Sequence, residues 1–422
     1  MPDALFDAAT RPYDTDRWRR IVGAEQTVAR LKPLLPVFGI TRVANVTGLD
    51  TIGIPTVMVL RPNSRALSVS QGKGTSLAAA KASGLMESIE SYHAERITLP
   101  LKLGSYEDLR YTHELVDVGR LPRLASSQFT DFVPLLWVEG RSLTTGAGVW
   151  VPFEMVHTNY TLPLPSGHGY FQASSNGLSS GNHMVEATIH GLCELIERDA
   201  CTLWRLRSEA AQDDTRVDLE TVSDPVCRDL LARFAKAGVE VGVWDATSDV
   251  GLPTFVCRIV QGGGDHYSAH RPAAGFGTHL VREIALARAL TEAAQSRLTH
   301  ISGARDDMAR EDYQQFLDPA EQARWLNRIR LGSPVRDFNE IPAWEGQSLR
   351  EDLDEILRRL RAVGLHDAIV VDLTKPEFNI PVVRVIVPGL EGVDQVNYVL
   401  GARARALVEI EGGVAAAEET CA

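Results

Sequence analysis

Glutamates at helical spacing mark the stretch of this chain best equipped for chemistry. In SSNGLSSGNHMVEATIHGLCELIERDA, Ser174 to Ala200, a Gly/Ser/Asn-rich loop runs into a segment with apolar residues at Met184, Ala187, Ile189, Leu192, Leu195 and Ile196, near helical spacing. Glu186, Glu194 and Glu197 interrupt that face, and the last two are three apart, on one side of a helix. Neighbouring carboxylates repel unless a positive charge lies between them. A hard cation such as Mg2+ meets that need, because it takes oxygen ligands from carboxylates and phosphates. The loop ahead offers free backbone N–H groups and the positive end of a helix dipole, which suits a phosphate. The pattern predicts a helix from Asn182 to about Arg207, with Asn182 as N-cap. Alone, the pair fits an exposed amphipathic helix equally well.

Recurrence shifts the balance. GKGTSLAAAKASGLMESIESYHAE aligns with GNHMVEATIHGLCELIERDA without a gap: Gly74 falls on Gly181, Glu87 and Glu90 on Glu194 and Glu197. A third version, GFGTHLVREIALARALTEAAQSR, puts Glu292 at the first glutamate place, Gln295 at the second, and Arg288 where Ser83 and His190 stand. Helices are expected over about Ser76 to Ala94 and His279 to His300. A second repeat supplies the elements that must position them. LLPVFGITRVANVTGLDTIGIPTVMVL, LLARFAKAGVEVGVWDATSDVGLPTFVCRIV and ILRRLRAVGLHDAIVVDLTKPEFNIPVVRVIV each give an apolar helix end, a glycine (Gly39, Gly238, Gly364), a strand, a polar turn and a second strand entered through proline. Glycine suits the left-handed helix C-cap, and proline at a strand start removes no ladder bond. Copies of one supersecondary unit are implied: an α/β fold of three related units, their Gly-led helices converging on one site.

Composition agrees with a globular body: 422 residues, 44% hydrophobic and 23% charged. The net charge of −12 argues against a nucleic-acid partner. The N-terminus MPDALFDAATRPYDTDRWRR has no signal-peptide core and no run reaches membrane-spanning length, so a cytoplasmic, membrane-free protein is expected. Five cysteines, Cys193, Cys201, Cys227, Cys257 and Cys421, without CxxC indicate neither a disulfide framework nor a zinc site. Residues 1–25 read as an N-terminal arm, 26–406 as one domain and 407–422 as a flexible tail. VPLLWVEG and GVWVPFEMVHTNY alternate around LTTGAG as a hairpin, and TLPLPSGHGYFQASSNG has the character of an active-site cover. GKG at Lys73 lacks Walker A spacing, so Lys73 is either a phosphate contact or a surface lysine. His183 and His190 lack zinc spacing, Ser174-Ser175 lacks a nucleophile elbow, and Arg297 and Arg305 are phosphate partners or structural salt bridges.

Taken together these motifs resemble the YcaO-domain family, from about Arg20 to Ala406. The family's first motif corresponds to Ser83, Glu87 and Glu90, with Ser91 in place of its arginine. The second corresponds to Ser179, Asn182 and Glu186, with His190 where glutamine is usual. Its ExxER is Glu194, Glu197 and Arg198, and its late arginine–glutamate pair is Arg288 and Glu292. The resemblance implies a YcaO-type fold in which these residues bind ATP, with Glu87, Glu90, Glu186, Glu194 and Glu197 holding Mg2+. It also implies an enzyme that phosphorylates a peptide backbone amide oxygen and so makes it a leaving group. An internal Cys, Ser or Thr nucleophile gives an azoline; external sulfide gives a thioamide. The chain ends in EETCA without the Pro-rich tail of azoline formers, and VFGITRVANVTGLDTIGIPTVMVLRPNSRALSVSQGKG is similar to members that act with a TfuA protein. The expectation is peptide thioamidation with a TfuA-like sulfur-delivery partner, a ribosomally made precursor peptide, a separate peptide-recognition protein and a homodimer. The alternatives are an azoline cyclodehydratase and a non-catalytic scaffold for nucleotide or peptide.

Overall fold

The computed structural model describes residues 18–165, 167–262, 272–308, 319–392 and 397–410. Most of the expected N-terminal arm, and residues 411–422 of the expected tail with Cys421, lie outside the described residues. In chain order the site-building elements are α1 (Ala24–Leu31), β1 (Arg42–Asn45), β2 (Thr56–Leu60), β3 (Val69–Lys73), α2 (Leu77–Ala94), β4 (Leu101–Gly104), β5 (Leu135–Ser142), β6 (Gly148–Pro152), β7 (Leu178–Ser180) and α3 (Met184–Leu206). There follow α4 (Pro225–Lys236), β8 (Val239–Asp245), β9 (Thr254–Gln261), β10 (Ala273–Thr278), α5 (Arg282–Ser302), α6 (Pro319–Leu331), α7 (Leu349–Ala362), β11 (Ile369–Asp372) and β12 (Val382–Ile386).

Three units are indeed present, but one is not contiguous. β1, β2 and β3 form an antiparallel meander that α2 covers, and β8, β9 and β10 form a second that α5 covers. The third is assembled from two distant stretches. β11 pairs with β12, β12 pairs with β7, and the covering helix is α3, which follows β7 much earlier in the chain. The glycines after the lead helices behave as expected: Gly39, Gly238 and Gly364 take φ of 70°, 68° and 79°. The third meander is extended by β5 against β11, with β4 and β6 on β5, so the expected hairpin is β5–β6.

Each unit buries its apolar strand residues under its helix. Val59, Leu85 and Ile89 sit in one core, Phe255, Ala289 and Ala293 in a second, and Leu192, Ile196, Val383 and Val385 in a third. Close approach of strand and helix rests on missing side chains. A Cβ on Gly72 would lie 2.0 Å from the Ala80 carbonyl oxygen, and one on Gly275 2.1 Å from that of Ala289. The units close in a ring: α2 also packs on β7, α3 on β10 and α5 on β3. Each helix thus touches the third strand of its neighbour, which directs the three helix faces toward one region. Among the described residues no helix is long and apolar enough to cross a membrane. Cys193, Cys201, Cys227 and Cys257 are buried, Cys227 donating to the Glu283 carbonyl, and burial pushes Cys193 up to about 12.

Candidate active site

Main-chain geometry fixes the glutamates before any side-chain partner does. Glu87 accepts from the Gln71 N–H at 3.3 Å, Glu194 from the Gly177 N–H at 3.3 Å, and Glu292 from the Phe276 N–H at 3.3 Å. The same bond therefore occurs in all three units, each time from the third strand or the residue just before it. Bonds between units complete the arrangement. Ser180 on β7 donates its hydroxyl to Glu90 on α2 at 2.6 Å, and Lys73 at the end of β3 pairs with Glu292 on α5. Arg198 lies 3.8 Å from Glu194 and 3.7 Å from Glu197.

Crowding of like charge is evident from the carboxyls. Burial pushes Glu90 well above the ordinary carboxylate range, opposed by Ser180 and reinforced by Glu87 and Glu194. Glu194 is raised by burial against the pull of Arg198, Arg384 and Arg288. Burial likewise raises Glu197, against Arg198 and with Glu292 adding to the rise. Desolvation pushes the Glu87 carboxyl from 4.5 up to about 7, opposed by the Gln71 N–H and the charges of Lys73 and Arg305, with Glu194 adding to the rise, although the residue as a whole keeps an exposed surface. Only Glu292 is lowered: burial opposes this, but Lys73 and Arg198 prevail. Five carboxylates from three helices therefore share one charged site.

The cations and histidines lie in the same place. Arg288, Arg20, Lys73 and His279 all act on His190, whose ring burial keeps neutral. His279 accepts from the Val281 N–H at 3.0 Å through Nδ1, so its proton sits on Nε2, and burial with Arg288 nearby keeps it neutral too. The structure thus brings Glu87, Glu90, His190, Glu194, Glu197, Arg198, Arg288 and Glu292 into one region. Ser83 occupies the position on α2 matching His190 and Arg288, one turn before Glu87. Three other residues have structural partners. Ser179 donates to the Ala187 carbonyl at 2.8 Å, Asn182 donates to Thr27 Oγ1 at 3.1 Å, and Glu186 accepts from Arg20 at 2.8 Å and from the Ile21 N–H at 3.2 Å. The N-cap of α3 is His183 rather than Asn182, because the His183 ring accepts from the Val185 N–H at 3.2 Å while the Asn182 amide is engaged with α1. Helices α2 and α3 otherwise match their expected spans, and α5 begins at Arg282 rather than His279. Arg297 is a structural residue, buried against Asp50 at 2.9 Å, whereas Arg305 pairs with Asp307 and lends positive charge to Glu87.

The donor set fits a metal-bound polyphosphate. Glu197 Oε2 is buried without a hydrogen-bond partner, as is Arg288 Nε, and each needs a counter-charge or an acceptor from outside the chain. Among the described residues no three His, Cys, Asp or Glu side chains converge as a self-sufficient metal cage. Mg2+ here would draw further oxygens from a phosphate ligand, as it commonly does. Sequence reading missed Ser180, Arg20, His279 and Arg384. Ser180 stood inside a motif already singled out, and Arg384 showed itself as the lone charge in VVRVIV.

Comparison with known proteins places this site in a family. Residues 71–391 match the model of the YcaO cyclodehydratase family, described as ATP- and Mg2+-binding. The chain is 36% identical over 395 residues, 92% of its own length and 93% of the relative's, to an uncharacterized protein in the tfuA 3′ region of Rhizobium leguminosarum bv. trifolii. Its fold is similar to that of YcaO from Methanopyrus kandleri bound with AMPPCP and Mg2+ (TM-score 0.69, 23% identity, 90% of this chain and 95% of that one). It is also similar to a heterocyclase in complex with substrate and cofactor (TM-score 0.71, 24% identity, 93% of this chain), of which it spans 56%. The chain belongs to the YcaO family and is an ATP- and Mg2+-dependent peptide backbone-modifying enzyme.

Proposed function

We propose that this enzyme replaces a peptide amide oxygen with sulfur, forming a thioamide in a ribosomally made peptide or protein. The observation that carries the ATP-dependent step is the triple recurrence of a glutamate held by a strand-side N–H, with Glu197 Oε2 left unpaired at the centre. Glu87, Glu90, Glu194 and Glu197 would hold Mg2+, with Glu186 as a further ligand once released from Arg20. Lys73, Arg198 and Arg288 would bind phosphate oxygens, and Ser83, Ser179, Asn182, His190 and Glu292 would complete the nucleotide site. Bound Mg2+–ATP supplies the phosphoryl group that turns the amide oxygen into a leaving group. The residues orient that group, screen its charge and exclude water. With Lys73, Arg198 and Arg288 set among the carboxylates, the site can balance both a tetra-anionic ligand and its cations.

Sulfur rather than ring closure is supported by the Rhizobium relative, whose name places it in the tfuA 3′ region. A TfuA-like protein would deliver sulfide, and a separate protein would recruit the precursor peptide to a homodimer. Azoline formation is the second reading, favoured by the fold shared with the heterocyclase. The test is to incubate the protein with precursor peptide, ATP, Mg2+, sulfide and the TfuA-like protein, and to follow phosphate release and peptide mass together. Exchange of oxygen for sulfur supports the proposal; loss of one water, without sulfide dependence, establishes the second reading instead.

A further inference from the structure

Arg384 is a buried cation near the site whose guanidinium is held by main-chain carbonyls. It lies on β12, opposite Leu178 of β7, and is 1% exposed. Its guanidinium donates to main-chain carbonyls: to Val156 at 3.2 and 3.1 Å, to Ser174 at 2.7 Å and to Asn176 at 2.6 Å. A cation taken out of water is expensive unless its donors are satisfied, and these bonds satisfy it at the expense of three carbonyls from two separate loops. Burial pulls its guanidinium down to about 10, opposed by Tyr160 and Glu194, so Glu194 lies within reach of its charge.

The location of those carbonyls gives the arginine a role. Asn176 precedes Gly177, whose N–H holds Glu194. In the other two units the matching N–H belongs to Gln71 within β3 and to Phe276 within β10, where strand pairing fixes it. In the third unit it lies just outside β7, a strand of three residues. Gly177 itself has φ of 76°, and its carbonyl accepts from Val385 N–H at 2.8 Å, one residue after Arg384. We infer that Arg384 is a positioning residue: by clamping the Ser174 and Asn176 carbonyls it fixes the Asn176–Gly177 peptide at the end of the ladder, aims the Gly177 N–H, and so sets Glu194 for the metal-bound nucleotide. This rests on the reading of Glu194 as part of the nucleotide site.

The test is a double-mutant cycle read by calorimetric binding of AMPPCP with Mg2+. Lysine keeps the charge but cannot span three carbonyls, so Arg384→Lys is expected to weaken binding about tenfold or more, the range for residues that orient ligands. Combined with Glu194→Gln, it should weaken binding no further than the worse single change. Combined with Glu292→Gln, whose N–H partner lies in a strand, the two losses should multiply. If Arg384→Lys and Glu194→Gln multiply as well, the positioning role is overturned while the nucleotide site stands. If Glu194→Gln alone leaves binding unchanged, both fall. Should Arg384→Lys not fold, Gly177→Ala replaces it in the same cycle. A Cβ there would meet the Val385 carbonyl oxygen at 2.4 Å and displace the N–H without touching the arginine.

Discussion

The first two units and the third reach the same local geometry by different routes. In β3 and β10 the N–H groups that hold Glu87 and Glu292 are part of a continuous three-strand meander followed directly by its helix. The third unit borrows β11 and β12 from the far end of the chain, and its N–H donor sits in a loop. Charge divides along a different line. Helices α2 and α3 each carry a pair of glutamates one turn apart, Glu87 with Glu90 and Glu194 with Glu197, whereas α5 carries Glu292 with Arg288 a turn before it and Gln295 a turn after. Acid concentrated on two helices and a cation on the third matches a ligand that brings both phosphate and divalent metal. The comparison shows that equivalence in space need not follow adjacency in sequence.

The largest effect should come from the third unit's centre. Glu197→Gln is expected to reduce ATP turnover about 100- to 1000-fold, the scale of removing one preorganised electrostatic group. The unliganded protein should melt no lower than the parent, because an amide is cheaper to bury than a carboxylate with an orphan oxygen. Both are read from phosphate release and a thermal melt. Glu292→Gln is expected to be milder, about 10- to 100-fold, and to appear chiefly as a raised KM for ATP, because Lys73 loses the carboxylate that positions it for the phosphates.

A stability contrast sharpens the comparison further. Gly275→Ala drives a methyl into the backbone of α5, 2.1 Å from the Ala289 carbonyl oxygen, and should cost about 1–3 kcal/mol in denaturant unfolding. Gly191→Ala in the third unit meets Ser179 Oγ at 2.7 Å, Val385 Cγ2 at 2.8 Å and the Gly177 carbonyl oxygen at 3.1 Å, a looser approach to backbone than at Gly275, so a smaller loss is expected. The smallest effect is on pH. The Glu87 carboxyl is raised from 4.5 to about 7, so its contribution to the stability of the unliganded protein is full below 4.5 and disappears as pH rises through about 7. Binding of Mg2+ requires the ionised form, so affinity should weaken as pH falls from 8 to 6, with protons released on binding, measurable from the dependence of binding heat on buffer ionisation enthalpy.

Much of this was legible in the chain itself, for identifiable reasons. The glutamate helices were visible because helical spacing is local and the aligned glycines are required by close strand–helix contact. The lead helices were visible because a left-handed C-cap demands Gly39, Gly238 and Gly364. What could not be read was which strand completes which unit. The pairing of Val382 with Ser180 joins residues about two hundred positions apart, and no local pattern encodes it. Asn182 does not cap α3 because Thr27, a tertiary partner, outweighs its local preference. Arg384 was passed over because a charge within an apolar strand has no meaning until its carbonyl partners are placed.

The divided third unit also constrains the order of events during synthesis. A ribosome releases β7 and α3 well before β11 and β12, by tens of seconds at ordinary elongation rates. Through that interval β7 lacks its strand partner, since among the described residues its ladder is with β12. The third unit therefore stays incomplete until β12 has emerged. Truncated translation products should accordingly be inert toward ATP rather than wasteful consumers of it.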